Sequence, residues 1–298
     1  MKQSLFIFGL GYSGTAIAKA AQAAGWQVAG TVRTAEKAAR LAGLGLDARV
    51  YDGTDAAAVE RLADTLRDTQ AVVVTMGPDN DEAGAQDAVL RHANQLFAGL
   101  TNLQTLVYLS TIGVYGDRGG AWIDETADPD SGQARSIRRV ATEKAWTEHA
   151  ERLGAGAFIM RLGGIYGPGR SPLEKVRNGE ARRIIKPGQV FNRIHVADIA
   201  GAVLAAIENP DQAGIYNVVD DQPTPPQDVI AHAAGLLGLP VPPDIAFEDA
   251  DMSPMGRAFY ANNKRVRNDK LKSLLDDTLV YPSYEQGLKA ELANMAGA

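Results

Sequence analysis

Cysteine is absent from the 298-residue chain, which excludes disulfides, zinc–thiolate centres and cysteine nucleophiles together. Histidine is nearly as scarce, and its four scattered residues do not suggest a dedicated metal cage. No stretch approaches the roughly 20 consecutive apolar residues that would cross a bilayer. The short apolar run after Met1 lacks a small-residue cleavage site, so it reads as a first strand rather than a leader. These absences fit a cytoplasmic protein. Basic excess is missing too: a formal net charge of -6 gives no footprint for nucleic acid, although local arginines and helix ends can still hold small anions. With 45% apolar and 22% charged residues, the chain can bury one large domain, or a domain with a lobe attached.

From residue 5 to about 161, short β-rich runs alternate with longer helical stretches, the pattern of βαβ units on a parallel sheet. The runs are Leu5 to Gly9, Gln27 to Val32, Ala48 to Tyr51, Ala71 to Thr75, Thr105 to Ser110 and Ala157 to Arg161. Beyond them, Gly163 to Pro172 is rich in glycine and proline and reads as loop. A helix over His195 to Glu208, a strand over Ile215 to Val219 and helices near 227–237, 262–275 and 284–296 complete the expected elements. Residues 1–163, with 193–220 returning, are expected to form one domain; 164–192 and 221–298 are expected to form a second lobe.

The first run ends in Gly9-Leu10-Gly11-Tyr12-Ser13-Gly14, followed by an alanine-rich helix. In such a turn the first glycine bends the chain, the second admits a pyrophosphate to the backbone, and the third packs helix on sheet. Unpaired N–H groups and the positive end of the helix dipole then face the anion. The fold class this predicts is α/β, a doubly wound parallel Rossmann sheet with a smaller, mostly helical C-terminal substrate lobe. A tight strand-to-helix turn without ligand is the plainer reading of the glycines. Gly9, Gly11, Tyr12, Ser13, Gly14 and Thr75 are the expected cofactor contacts around the loop.

At the end of the second run, where an acid would bind a ribose 2′-hydroxyl, the chain reads Thr31-Val32-Arg33-Thr34. An arginine without a carboxylate suits a 2′-phosphate, which predicts NADP, with NAD as the alternative; a solvated loop arginine is the plainer reading of Arg33. Asp52 is placed to accept from an adenine amino group, or to stand as an N-terminal acid before a helix capped by Thr54.

Several further motifs stand in order: Leu109-Ser110-Thr111-Ile112-Gly113-Val114-Tyr115-Gly116, Asp124-Glu125-Thr126, Arg161 with Tyr166-Gly167-Pro168-Gly169-Arg170, and Arg193-Ile194-His195-Val196-Ala197-Asp198. With the glycine loop they resemble, over nearly the whole chain, the extended short-chain dehydrogenase/reductase superfamily of the NAD-dependent epimerase/dehydratase type. The resemblance implies that Thr111 polarises a substrate oxygen, and it suggests a homodimer. It also implies a YxxxK pair on the following helix. Aligning Glu143 with that family's acid places Arg139 at the lysine position and Arg135 at the tyrosine position, so the chain is an atypical member. A guanidinium does not exchange protons at physiological pH but can stabilise negative charge. Arg135 and Arg139 share a helix face and join Thr111 as candidate catalytic residues, with a solvated basic face as the plainer reading.

Tyr115 is a further catalytic candidate, while Tyr166 and His195 read better as packing and hydrogen-bonding groups. Met252, Met255, Phe259 and Tyr260 are candidates for the substrate side or for simple core. Three activities remain open: an NADP-dependent oxidoreductase or epimerase acting on a small polar or nucleotide-linked substrate, a non-catalytic NADP-binding sensor or scaffold, and a non-redox isomerase or lyase. A fluorescence titration is expected to show NADPH binding more tightly than NADH; the opposite order would remove the assignment to Arg33.

Overall fold

Strands that are covered on both faces need continuous apolar runs rather than alternation, and that is how the central strands of the sheet are built. The computed structural model describes residues 3–79, 87–130 and 132–296. Its main strands are β1 (Ser4–Phe8), β2 (Gln27–Val32), β3 (Asp47–Val50), β4 (Ala71–Val74) and β5 (Thr105–Thr111), joined by Gly156–Leu162 and Gly214–Val218. Each end lies within one residue of the run that predicted it. The seven strands are ordered Gly214–Val218, Gly156–Leu162, β5, β4, β1, β2, β3. β1 pairs in parallel with both β2 and β4, Phe6 lying opposite Ala29 on one side and Val72 on the other. Sheet order therefore reverses at β1, and ligands of open α/β sheets bind at the carboxyl ends of such a switch point.

The chain divides into two units. The first comprises Met1–Val114, Gly132–Arg161 and Ile199–Tyr216; the second comprises Tyr115–Ser131, Leu162–Asp198 and Asn217–Ala298. The first unit carries helices α1 (Tyr12–Ala23), α2 (Ala35–Ala42) and α3 (Ala56–Leu66), and a long helix, Ala134–Arg152. Its core collects Phe6, Phe8, Val72, Val74, Leu106 and Tyr108 from the sheet against Phe97 and Trp146. The Tyr108 ring stacks on Trp146 at 6.3 Å. Trp146 donates its indole N–H to Asp87 at 2.8 Å, and Asp87 also accepts from the Val89 and Leu90 amides. Burial pushes the Asp87 carboxyl up to about 6, against the pull of these hydrogen bonds.

One ionic contact sets the long helix on the sheet. Glu143 accepts from Arg161 Nη2 at 2.8 Å and from Arg161 Nε at 3.2 Å. It also accepts from Ser110 Oγ of β5. Arg161 belongs to Gly156–Leu162, so a single carboxylate joins the helix to two strands, and both members of the ion pair are buried.

In the second unit the glycine-rich stretch after Arg161 is not wholly loop: Gly164–Tyr166 is a strand parallel to Arg193–His195. The expected helix over 262–275 is also corrected. Only Asp269–Leu274 is helical, because Arg265–Val266 pairs with Trp122–Ile123 and the Val266 amide is held by Asn192 Oδ1 at 2.8 Å. Helices Pro172–Arg177, Pro226–Leu237 and Tyr284–Ala296 surround a core that includes Tyr166, Leu173, Val229, Ala233 and Leu288. Among the described residues, no helix is long and apolar enough to cross a membrane.

Removing one partner of a buried pair strands the other charge. Arg161→Met is expected to lower unfolding free energy in urea by about 3–5 kcal/mol, with the double variant Arg161→Met/Glu143→Leu recovering most of that loss.

Candidate functional site

The glycine loop closes on itself before it meets any ligand. Gly9 has a φ of 97°, a left-handed conformation that glycine adopts without cost. Its amide donates to Thr31 Oγ1 at 3.0 Å, and its carbonyl accepts from Thr75 Oγ1 at 2.7 Å. Thr75 thus locks the turn from the end of β4. At Gly14 a Cβ would stand 2.2 Å from the Gly9 carbonyl oxygen, so helix and strand approach too closely for any side chain. Gly11 is the opposite case, since a Cβ there would meet nothing within 4 Å. Gly11 is also the N-cap of α1, no side chain caps that end, and the first turn holds no acid. Open space, uncapped N–H groups and a dipole end make a cradle that suits a phosphate. Tyr12 and Ser13 occupy the first turn, both half-buried.

Arg33 is exposed just past β2, followed by Thr34, which caps α2 by accepting from the Lys37 amide. Among the described residues no carboxylate pairs with Arg33. Asp52 is exposed and accepts from Thr54 N at 2.9 Å and Thr54 Oγ1 at 2.6 Å; these bonds hold its carboxyl below the usual range. Thr54 is not the cap of the next helix. Asp55 is, accepting from the Ala57 amide at 2.9 Å, because Asp52 already engages the Thr54 hydroxyl.

Thr111 ends β5 half-buried, its Oγ1 accepting from the Gly113 amide at 3.1 Å. On the long helix, Arg135 is exposed and Arg139 half-buried. Arg139 Nη1 donates to the Tyr108 hydroxyl at 2.9 Å. Beside it, a Cβ on Gly77 would fall 2.5 Å from Arg139 Nη2. Thr111, Arg135 and Arg139 all lie in the first unit. Sequence reasoning missed Tyr108 and Gly77. Tyr108 reads there as one more apolar strand residue, and only its offset from Arg139 in three dimensions reveals the contact.

Tyr115 belongs to the second unit, where its ring is fully buried and its hydroxyl donates to Asn217 Oδ1 at 2.8 Å. Tyr166 is buried on a strand rather than on a loop, and its hydroxyl donates to the Ser283 carbonyl at 3.3 Å. Desolvation pushes that phenol up, far from a neutral-pH proton donor. His195 Nδ1 accepts from the Ala197 amide at 3.1 Å, while Asp198 accepts from the Val280 and Tyr281 amides. These two side chains open the helix Val196–Glu208 and anchor a loop to it. Met252 and Tyr260 pack in a small cluster with Ile184 and Phe247, whereas Met255 and Phe259 are exposed. Among the described residues, no group of His, Asp and Glu could hold a metal ion.

Comparison with known proteins agrees with this architecture. Residues 5–219 match the model of the family described as the NAD dependent epimerase/dehydratase family. A functionally unknown conserved protein from Silicibacter pomeroyi DSS is 40% identical, with a TM-score of 0.87 over 98% of this chain and 99% of that one. Protein YeeZ from Escherichia coli strain K12 is 28% identical over 246 residues, 79% of this chain and 84% of the relative. A 3-diazoavenalumate denitrifying reductase from Streptomyces sp. is 27% identical over 236 residues, 72% of this chain and 74% of that protein.

The two glycines of the loop should separate fold from binding. Gly14→Ala is expected to cost roughly 1–3 kcal/mol of stability through overpacking. Gly11→Ala should leave the melting temperature unchanged while weakening dinucleotide binding about tenfold or more, read by fluorescence titration.

Proposed function

The chain belongs to the NAD-dependent epimerase/dehydratase family, and on that premise we propose that it is an NADP-using oxidoreductase or epimerase acting on a small polar or nucleotide-linked substrate. Gly9, Gly11 and Gly14, with the first-turn residues Tyr12 and Ser13, receive the pyrophosphate. Arg33 takes the 2′-phosphate, Asp52 accepts from the adenine amino group, and Thr75 keeps the loop in shape. When bound, the cofactor supplies or accepts the hydride. Arg135 and Arg139 offset negative charge that develops on the substrate as it reacts.

The observation that carries this reading is the setting of Thr111. Its oxygen already accepts from Gly113 N–H at 3.1 Å, which raises the acidity of a hydroxyl whose own hydrogen is left to donate to a substrate oxygen. It stands at the carboxyl end of β5, the end at which open α/β sheets bind their ligands. The name of the Streptomyces relative favours the reductive direction.

A second reading, a cofactor-binding sensor without turnover, draws support from Arg135 and Arg139 standing where the family resemblance implies tyrosine and lysine. The two readings separate in one assay. With NADPH and a panel of aldehydes, ketones and nucleotide sugars, the enzyme reading expects oxidation that Thr111→Ala slows by about 100-fold or more, with NADPH affinity preserved. Inertness toward every substrate, joined to a cofactor-dependent change in oligomeric state, would replace it with the sensor.

A further inference from the structure

Among the described residues, the groups that hold Arg139 are neutral. Nη1 donates to Tyr108 Oη at 2.9 Å and reaches the Leu109 carbonyl at 3.5 Å, and Cζ lies 5.8 Å from the Tyr108 ring centroid. Glu143, one helical turn further on, is the carboxylate best placed to neutralise it, yet Arg161 and Ser110 already occupy both its oxygens. Among the described residues, no carboxylate forms an ion pair with Arg139. A half-buried cation with uncharged partners retains its attraction for an anion.

The same guanidinium is also fixed in place. Its flat fork rests against the bare Cα of Gly77, where a Cβ would come within 2.5 Å of Nη2 and 3.0 Å of Cζ and Nη1. Tyr108 cannot drift, because its buried ring stacks on Trp146 at 6.3 Å and Trp146 is tied to Asp87 at 2.8 Å. A free arginine side chain loses much rotamer freedom when it binds a ligand, and here most of that loss is already incurred before a ligand arrives. Gly77 lies three residues past the end of β4, and Tyr108 lies within β5, three residues before Thr111.

We infer that Tyr108, Arg139 and Gly77 form a receptor for a carboxylate carried by the substrate, with Arg139 as the binding group and Tyr108 and Gly77 as positioning residues. The inference deepens the oxidoreductase reading and rests on it for the identity of the ligand as substrate, but the receptor itself is measurable without turnover. A planar fork matches a carboxylate with two parallel hydrogen bonds, a geometry that a lysine at this position would not offer.

The test uses benzoate as probe and benzamide as its neutral counterpart, titrated calorimetrically into the full-length protein with and without NADP. Benzoate is expected to bind at least tenfold more tightly than benzamide in both forms. Tyr108→Phe keeps the stacked ring but loses the hydroxyl. Gly77→Ala sets a methyl within 2.5 Å of Arg139 Nη2 and so displaces the guanidinium. Each, like Arg139→Gln, should weaken benzoate about tenfold while NADP affinity stays within about twofold.

Equal binding of benzoate and benzamide would overturn the inference, as would variants that bind benzoate like the parent. An Arg139→Gln protein that loses NADP affinity but keeps its benzoate affinity would assign the guanidinium to a cofactor phosphate instead, which also overturns it. Failure to oxidise NADPH with any substrate would count against the enzyme reading alone and would leave the benzoate result standing.

Discussion

The buried carboxylate of Glu143 is the constraint on which the nucleotide unit turns. A charge withdrawn from water must be met by well-aligned donors, or the fold is penalised by several kcal/mol. Arg161 and Ser110 meet it from two different strands, so the long helix has one rotation and one height at which the arrangement closes. Apolar packing alone would tolerate a small slide or roll. The ionic contact does not, and Arg139 and Arg135, one and two turns before Glu143, inherit their placement from it.

How much of this was visible in the sequence depends on whether a feature is local. The β-runs were legible because strands buried on both faces must be apolar from end to end, as Leu5 to Phe8 and Ala71 to Val74 are. The glycine loop was legible because its spacing follows from turn geometry. The helix expected over 262–275 failed because Arg265 and Val266 are captured by a strand far away in sequence, which no local propensity records. Thr54 looked like a helix cap until Asp52 and Asp55 divided the work between them. Tyr108 and Gly77 were invisible for a related reason: one reads as core and the other as loop, and only folding sets both against Arg139.

In the proposed reading Arg135 and Arg139 stand where the family resemblance implies a phenol and an ammonium, and this changes the type of chemistry available. A phenol beside a lysine can give and take a proton near neutral pH. A pair of guanidinium groups offers fixed charge and directed hydrogen bonds, which stabilise an anion without changing their own state. In that proposed enzyme proton transfer falls to another group or to water, while orientation and charge fall to the arginines. Two further tyrosines of the sequence motifs are committed elsewhere: Tyr115 to Asn217 and Tyr166 to the Ser283 carbonyl.

Asp87 carries a consequence of a different kind. Its carboxyl is pushed up to about 6 by burial, above the range of the unfolded chain, so the folded protein binds that proton more tightly than the unfolded one does. By linkage, its contribution to stability is greatest in acid, declines as pH rises from near 4 toward 6, and amounts to roughly 3 kcal/mol lost by neutral pH. Hydrogen ions thus act as a ligand for the folded state at this position. Because the bond from Trp146 favours the ionised carboxylate, that proton stabilises the fold by relieving buried charge while it loosens the link from Asp87 through Trp146 to Tyr108, the wall behind Arg139.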